Sequence, residues 1–251
     1  MISAIRTPLL TAAFLLLAGG AGAAEFSDKQ RDEIGVIVRE YLLQNPEVLI
    51  EMSQELEKRQ KVAENENRKA ALTANADEIF RSPDDFVAGA PGGDVTMVEF
   101  FDYNCPWCKK SMPILKSLME SDKGLKLVLK EFPILGENSE YAARAALAAK
   151  AQGKYMEFHF AMYEHEGKLD AAVVDGIAQS LGLDVAKMKT DMESPTVADI
   201  ISRNRKLAET LGINGTPGFV IDDEIIPGYV PKEGLAAAIK EVRDSGGCKV
   251  C

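Results

Sequence analysis

Two cysteine pairs with the same spacing, Cys105-Pro106-Trp107-Cys108 and Cys248-Lys249-Val250-Cys251, carry the most distinctive chemistry in this chain. Thiols three positions apart can close a disulfide, exchange it with another thiol, or ligate a soft metal ion. The first pair stands beside a β-α-β pattern, the setting of a dithiol redox site. With Cys105 as a helix N-cap, Pro106 falls at the first helical position, where its missing N–H is not needed. The amides of Trp107 and Cys108 then point toward the Cys105 sulfur. Together with the positive end of the helix dipole they favour a thiolate, so Cys105 is expected to titrate below about 8.5 and to act as an exposed nucleophile. Cys108, one turn inward, becomes the resolving thiol that attacks a mixed disulfide and releases the substrate. Zinc is the competing use of such a pair, but the two histidines, His159 and His165, show no ligand spacing.

The second pair follows Gly246-Gly247 and lies outside any expected element. Two readings stay open for it. Two soft thiolates on a mobile tail would bind Cu(I), which is metal handling without catalysis. Alternatively, Cys248 and Cys251 form a local or intermolecular disulfide with no catalytic part. The dithiol chemistry itself calls for no cofactor.

The elements that must hold the first pair can be read on either side of it. Val95-Thr96-Met97-Val98-Glu99-Phe100-Phe101 is rich in β-branched and aromatic residues and reads as a buried strand. Residues 106–120 form a helix and 125–132 a second strand, a β-α-β unit with parallel strands and a right-handed crossover. From 137 to 211 the pattern is helical, punctuated by Gly153, Gly167, Gly182 and Pro195, and reads as an inserted helical subdomain. A hairpin pattern at 218–226 and a closing helix at 232–243 complete an α/β plan with a small central sheet. Upstream, 28–68 is helical but sparse in apolar residues: Ile34, Val38 and Tyr41 make one narrow seam, and Leu49, Met52 and Leu56 another. Asn45-Pro46 separates them, with Asn45 expected to cap the second helix. Such a stalk cannot bury its seam alone, so it must dock on its own domain or pair with copies of itself.

Residues 1–24 combine Arg6, an apolar run from Leu9 to Ala18 and the small residues Ala21-Gly22-Ala23-Ala24. They read as a secretory leader cleaved after Ala23 or Ala24, with an uncleaved membrane anchor as the alternative. Export places the thiols where disulfides persist. The expected organisation is a signal peptide at 1–24, a helical oligomerisation segment at 25–69, a connector at 70–90, a catalytic domain at 91–244 with its insert at 137–211, and a tail at 245–251. With 29 basic and 39 acidic residues the formal net charge is −10, which argues against nucleic acid as a partner.

The segment from Val98 to Cys108 resembles the active-site region of DsbA-like thiol:disulfide interchange proteins. Pro113, eight residues after Cys105, stands where helices of that fold carry a kinking proline, and Thr216-Pro217 resembles its cis-proline loop. The resemblance implies a thioredoxin fold with an inserted helical subdomain. It implies that Thr216 and Pro217 offer backbone to an extended substrate, together with Pro106 and Trp107 beside the disulfide. It also implies that Glu99 is a buried acid beneath Cys108 that relays its proton, whereas strand alternation alone leaves open an exposed strand-face glutamate. Trp107 stands where strong oxidants of the family carry histidine, which argues against a strongly oxidising potential. The segment 26–68 resembles the amino-terminal extension of the ScsC-like subgroup, some members of which self-associate through it. That implies a periplasmic homo-oligomer, expected to be a trimer, acting as a disulfide isomerase or reductase on protein substrates with a membrane redox partner. In some relatives this activity is connected to copper tolerance. A monomeric dithiol oxidase of DsbA type is the alternative.

Overall fold

A computed structural model describes residues 26–251. The expected leader at 1–24 lies outside the described residues, and no helix among those described is long and apolar enough to cross a membrane. The chain divides into two compact units, one ending at Arg59 and the other Gln60–Cys251.

In the described part of the first unit, α1 (Asp28–Gln44) is opened by a capping box in which Ser27 and Gln30 satisfy each other's amides. Asn45, expected to cap the next helix, instead closes α1: its side-chain amide and its backbone N–H both donate to the Tyr41 carbonyl, at 2.8 and 2.9 Å. The second helix, α2 (Glu47–Ala74), runs from this unit into the next. Ile34, Val38, Tyr41, Leu49, Met52 and Leu56 are all between 42% and 62% exposed, so among the described residues both seams are bare.

The second unit is a mixed five-stranded sheet covered on both faces. Its strands are β1 (Phe86–Gly89), β2 (Val95–Phe101), β3 (Leu125–Glu131), β4 (Gly218–Ile221) and β5 (Glu224–Pro227), in the order β1-β3-β2-β4-β5. Only β2 and β3 run parallel, joined through α4 (Pro106–Ser121) as the β-α-β pattern requires. Every residue of β2 is buried because both of its faces are packed. On one face Val95, Met97 and Phe101 meet α4 and the closing helix α10 (Lys232–Asp244); on the other Val98 and Phe100 meet Leu207 and Leu211. The insert is five helices, α5 (Glu137–Ala151), α6 (Tyr155–Glu164), α7 (Ala171–Ser180), α8 (Val185–Met192) and α9 (Pro195–Leu211).

Two expectations need correction. The stretch 70–90, read as a helix end and a connector, does hold the end of α2, but beyond it come a short helix α3 (Ala76–Phe80) and the edge strand β1. Leu72, Ile79 and Phe80 bury themselves on the sheet, and β1 pairs antiparallel with β3. The tail at 245–251 is not free either. Cys248 and Cys251 form a disulfide, the amides of Lys249 and Val250 donate to Asp222 Oδ1 at 2.6 and 2.9 Å, and Arg81 Nη1 donates to the carbonyls of Val250 and Cys251. Main-chain bonding to partners over 25 residues away holds it, which no local pattern announces.

Candidate active site

Cys105 is the N-cap of α4, with φ −79° and ψ 119°, Pro106 follows at the first helical position, and Pro113 lies inside the helix. The local geometry is thus the one the residue types dictate: an extended cap, a proline whose ring needs no N–H there, and helix beyond. The Thr216-Pro217 peptide bond is cis, and its loop lies over the cap so that the Cys105 thiol donates to the Thr216 carbonyl at 3.2 Å. Because of that cover Cys105 is only 5% exposed, and Cys108 1%, so the expected exposed nucleophile is recessed. Pro106 and Trp107 form the open rim; Trp107 is 53% exposed.

The two thiols differ electrostatically. Hydrogen bonds donated to its sulfur by the Cys108 thiol, by the Thr216 side chain and by the N–H groups of Cys108 and Trp107 hold Cys105 down to about 5, against the opposing effect of burial. Burial pushes Cys108 far above the ordinary thiol range, and its hydrogen bond to Cys105 and the nearby Glu99 carboxyl add to this. Glu99, on β2, is 2% exposed, and burial together with the charge of Cys105 pushes it up to about 8. The low pKa of Cys105 is reached with no charged residue between the cysteines, through hydrogen bonds alone.

Three groups around the pair were not singled out by sequence. Asp102 accepts from the amides of Asn104, Ile134 and Leu135 at 2.8, 2.8 and 3.0 Å and from the Ser139 hydroxyl at 2.7 Å, tying the approach to Cys105 to the start of the insert. Its bond to the Asn104 amide is an Asx turn, the one local signal available beforehand. Asn104 in turn exchanges two hydrogen bonds with the backbone of Leu169, and Lys109 donates to the carbonyls of His165 and Gly167. Beneath them Glu131, pushed well up by burial, accepts from Tyr155 at 2.7 Å and Tyr103 at 3.1 Å, and Tyr103 also meets His159 Nδ1 at 3.0 Å. Burial lowers His159 to about 3, so it is a neutral member of the core. On the surface Lys110 stands 5.3 Å over Trp107 and 4.6 Å over Tyr229, making a cation and aromatic rim beside the thiols.

Residues 96–240 match the DSBA-like thioredoxin domain family, and residues 30–63 match the copper resistance protein ScsC N-terminal domain. Among solved structures, a thioredoxin-like oxidoreductase from Silicibacter pomeroyi is 46% identical with a TM-score of 0.66, covering 67% of this chain and 97% of its own. A linker-deletion mutant of Proteus mirabilis ScsC is 27% identical with a TM-score of 0.68, covering 89% of this chain and all of its own. A Na(+)/H(+) antiporter NhaA 1 of Salinispora arenicola is 30% identical over 157 residues, which are 62% of this chain and 24% of that protein. The chain therefore spans about a quarter of the length of the first curated relatives it matches.

Proposed function

Since this chain belongs to the DsbA-like thioredoxin-domain family, with an ScsC-type amino-terminal extension, we propose that it is a periplasmic thiol:disulfide oxidoreductase working as an isomerase or reductase on protein substrates. The observation that carries the reading is the split between the two thiols, Cys105 held down to about 5 and Cys108 pushed far up. Only one of them is a nucleophile at neutral pH.

In this mechanism the Cys105 thiolate attacks one sulfur of a substrate disulfide. The substrate S–S bond breaks, a Cys105–substrate disulfide forms, and the other substrate sulfur leaves as a thiolate that takes up a proton. In isomerisation a second substrate thiolate then attacks, forms a new substrate disulfide and returns Cys105 as a thiolate, with no net change of electrons. In reduction Cys108 attacks Cys105, the substrate leaves as a dithiol, and Cys105–Cys108 is left oxidised for a membrane redox partner to reduce. Cys108 must lose its proton for that attack, and Glu99, with a pKa near 8, exchanges protons readily at neutral pH. Thr216 and Pro217 offer backbone to an extended substrate segment, and Pro106 and Trp107 form the rim it crosses. Cys105→Ser is expected to abolish exchange, and Cys108→Ser to accumulate mixed disulfides with substrate, resolved on non-reducing gels. Trapping by Cys105→Ser in place of Cys108→Ser overturns the assignment.

The isomerase assignment rests on the exposed seams of α1 and α2. Burial of Ile34, Val38 and Tyr41 between equivalent helices of three copies would tether several Cys105 sites around one substrate. The second reading, a monomeric dithiol oxidase, draws support from the low pKa of Cys105, since a stabilised thiolate favours the reduced form of the site and so its oxidising power.

A further inference from the structure

We propose that Asp222, Cys248 and Cys251 form a zinc site that becomes available when the Cys248–Cys251 disulfide is reduced. One carboxylate oxygen of Asp222 and the two sulfurs lie within 4.8 Å of one another, the span of donors around one ion. The proposal goes beyond the exchange activity and involves none of the residues assigned to it.

Contacts other than the S–S bond also hold these residues together. Asp222 is 2% exposed in the turn between β4 and β5, with φ 51°, a conformation that aspartate tolerates. Its Oδ1 holds the amides of Lys249 and Val250, the two residues between the cysteines, at 2.6 and 2.9 Å. Arg81 Nη1 holds the carbonyls of Val250 and Cys251 at 3.2 and 2.9 Å. The Val250 side chain packs against the buried apolar cluster that includes Leu72, Val98 and Val220. Backbone and packing therefore keep the loop docked after reduction, with both sulfurs beside the carboxylate.

The donor set decides the ion. Two thiolates alone, the reading open from sequence, suit Cu(I), but the fold adds a carboxylate, a hard donor that a soft monovalent ion does not favour. Zn²⁺ takes thiolate sulfur and carboxylate oxygen together, and three protein donors leave its fourth position to water. A dithiol reductant gives two electrons and two protons to the Cys248–Cys251 bond and becomes a disulfide. The two thiols so formed lose both protons as the ion binds.

The test uses the full chain carrying Cys105→Ser and Cys108→Ser, so that the second pair supplies the only thiols, titrated with Zn²⁺ against a chromophoric indicator. The reduced protein is expected to take up one Zn²⁺ per chain with release of protons, and the oxidised protein none. Adding Cys248→Ser and Cys251→Ser should abolish uptake. Asp222→Asn keeps an acceptor for the two amides and the same backbone tolerance, and should weaken binding by about tenfold or more. Circular dichroism of each variant, and exchange activity of Cys248→Ser/Cys251→Ser in the otherwise native chain, report folding independently. No uptake by the reduced protein, or an affinity unchanged by Asp222→Asn, overturns the proposal.

Discussion

At the scale of single residues, the Cys105 thiolate and the Glu99 carboxyl pull in opposite directions with pH. Cys105 has its pKa lowered to about 5, so its thiolate stabilises the folded, reduced protein in full above the free-thiol value of about 8.5. That contribution is lost as pH falls through 5. Alkylation of the reduced protein by iodoacetamide, followed by peptide mass spectrometry, should therefore modify Cys105 first, with a rate that is on its plateau at pH 7 and halved near pH 5. Glu99 is raised to about 8, so the protonated acid is the stable buried form. Its contribution is complete below the free-acid value of about 4.3 and is lost as pH rises through 8. Glu99→Gln should gain thermal stability relative to the native protein above pH 8. The same variant should slow release of substrate from the mixed disulfide by on the order of 100-fold, because an amide cannot exchange the proton that Cys108 must lose. Alkylation of Cys105 at neutral pH should change little. A release rate that Glu99→Gln leaves untouched would exclude the carboxyl as the relay.

At the scale of elements, the site is held by what grips β2, β3 and α4. Lys130 of β3 is fully buried, donates to the Glu78 carbonyl at 2.7 Å and pairs with the buried Asp85, which fixes α3 and the entry to β1 on the sheet. Burial pushes Asp85 up to about 6 in spite of the opposing charge beside it, so its carboxyl is ionised at pH 7. Asp85→Ala leaves an ammonium buried without its counter-charge and should cost about 3–5 kcal/mol of stability, measured by urea unfolding. Exchange at low temperature should persist, because neither residue touches the thiols. An exposed ion pair such as Arg59–Glu55 is worth well under 1 kcal/mol by comparison.

At the scale of the whole molecule, the apolar positions of α1 and α2 stand exposed among the described residues of the single chain. In the proposed trimer they pack together, and sedimentation should give a mass three times that of the chain, independent of salt because the contacts are apolar. Removing residues 25–68 should give a monomer that still reduces a small disulfide substrate but reactivates a scrambled multi-disulfide protein poorly. The loss follows from effective concentration, since a lone Cys105 must find its second disulfide by diffusion. A native chain that sediments as a monomer and isomerises as well as its truncation would leave the oxidase reading in place.

Sequence by itself determined whatever is decided within a turn or two of chain. The cap and first turn around Cys105 and Pro106, the buried run of β2 and the five helices of the insert follow from residue type and short-range periodicity, because the groups that satisfy one another are near neighbours. Tertiary structure alone decided the rest. The strand pattern left Glu99 free to face water or the core, and it is packing by helices on both sides of β2 that buries it. The Thr216 carbonyl reaches Cys105 across 111 residues, and Asp102 gathers donors from over 30 residues away. The four residues of β1 carry too little alternation to read as a strand; they become one because the edge of β3 offers hydrogen bonds. Cys248 and Cys251 look like a loose pair until the buried Asp222 pins the amides between them. In each case the deciding energy is the burial or hydrogen bonding of groups distant in sequence, which no local pattern carries.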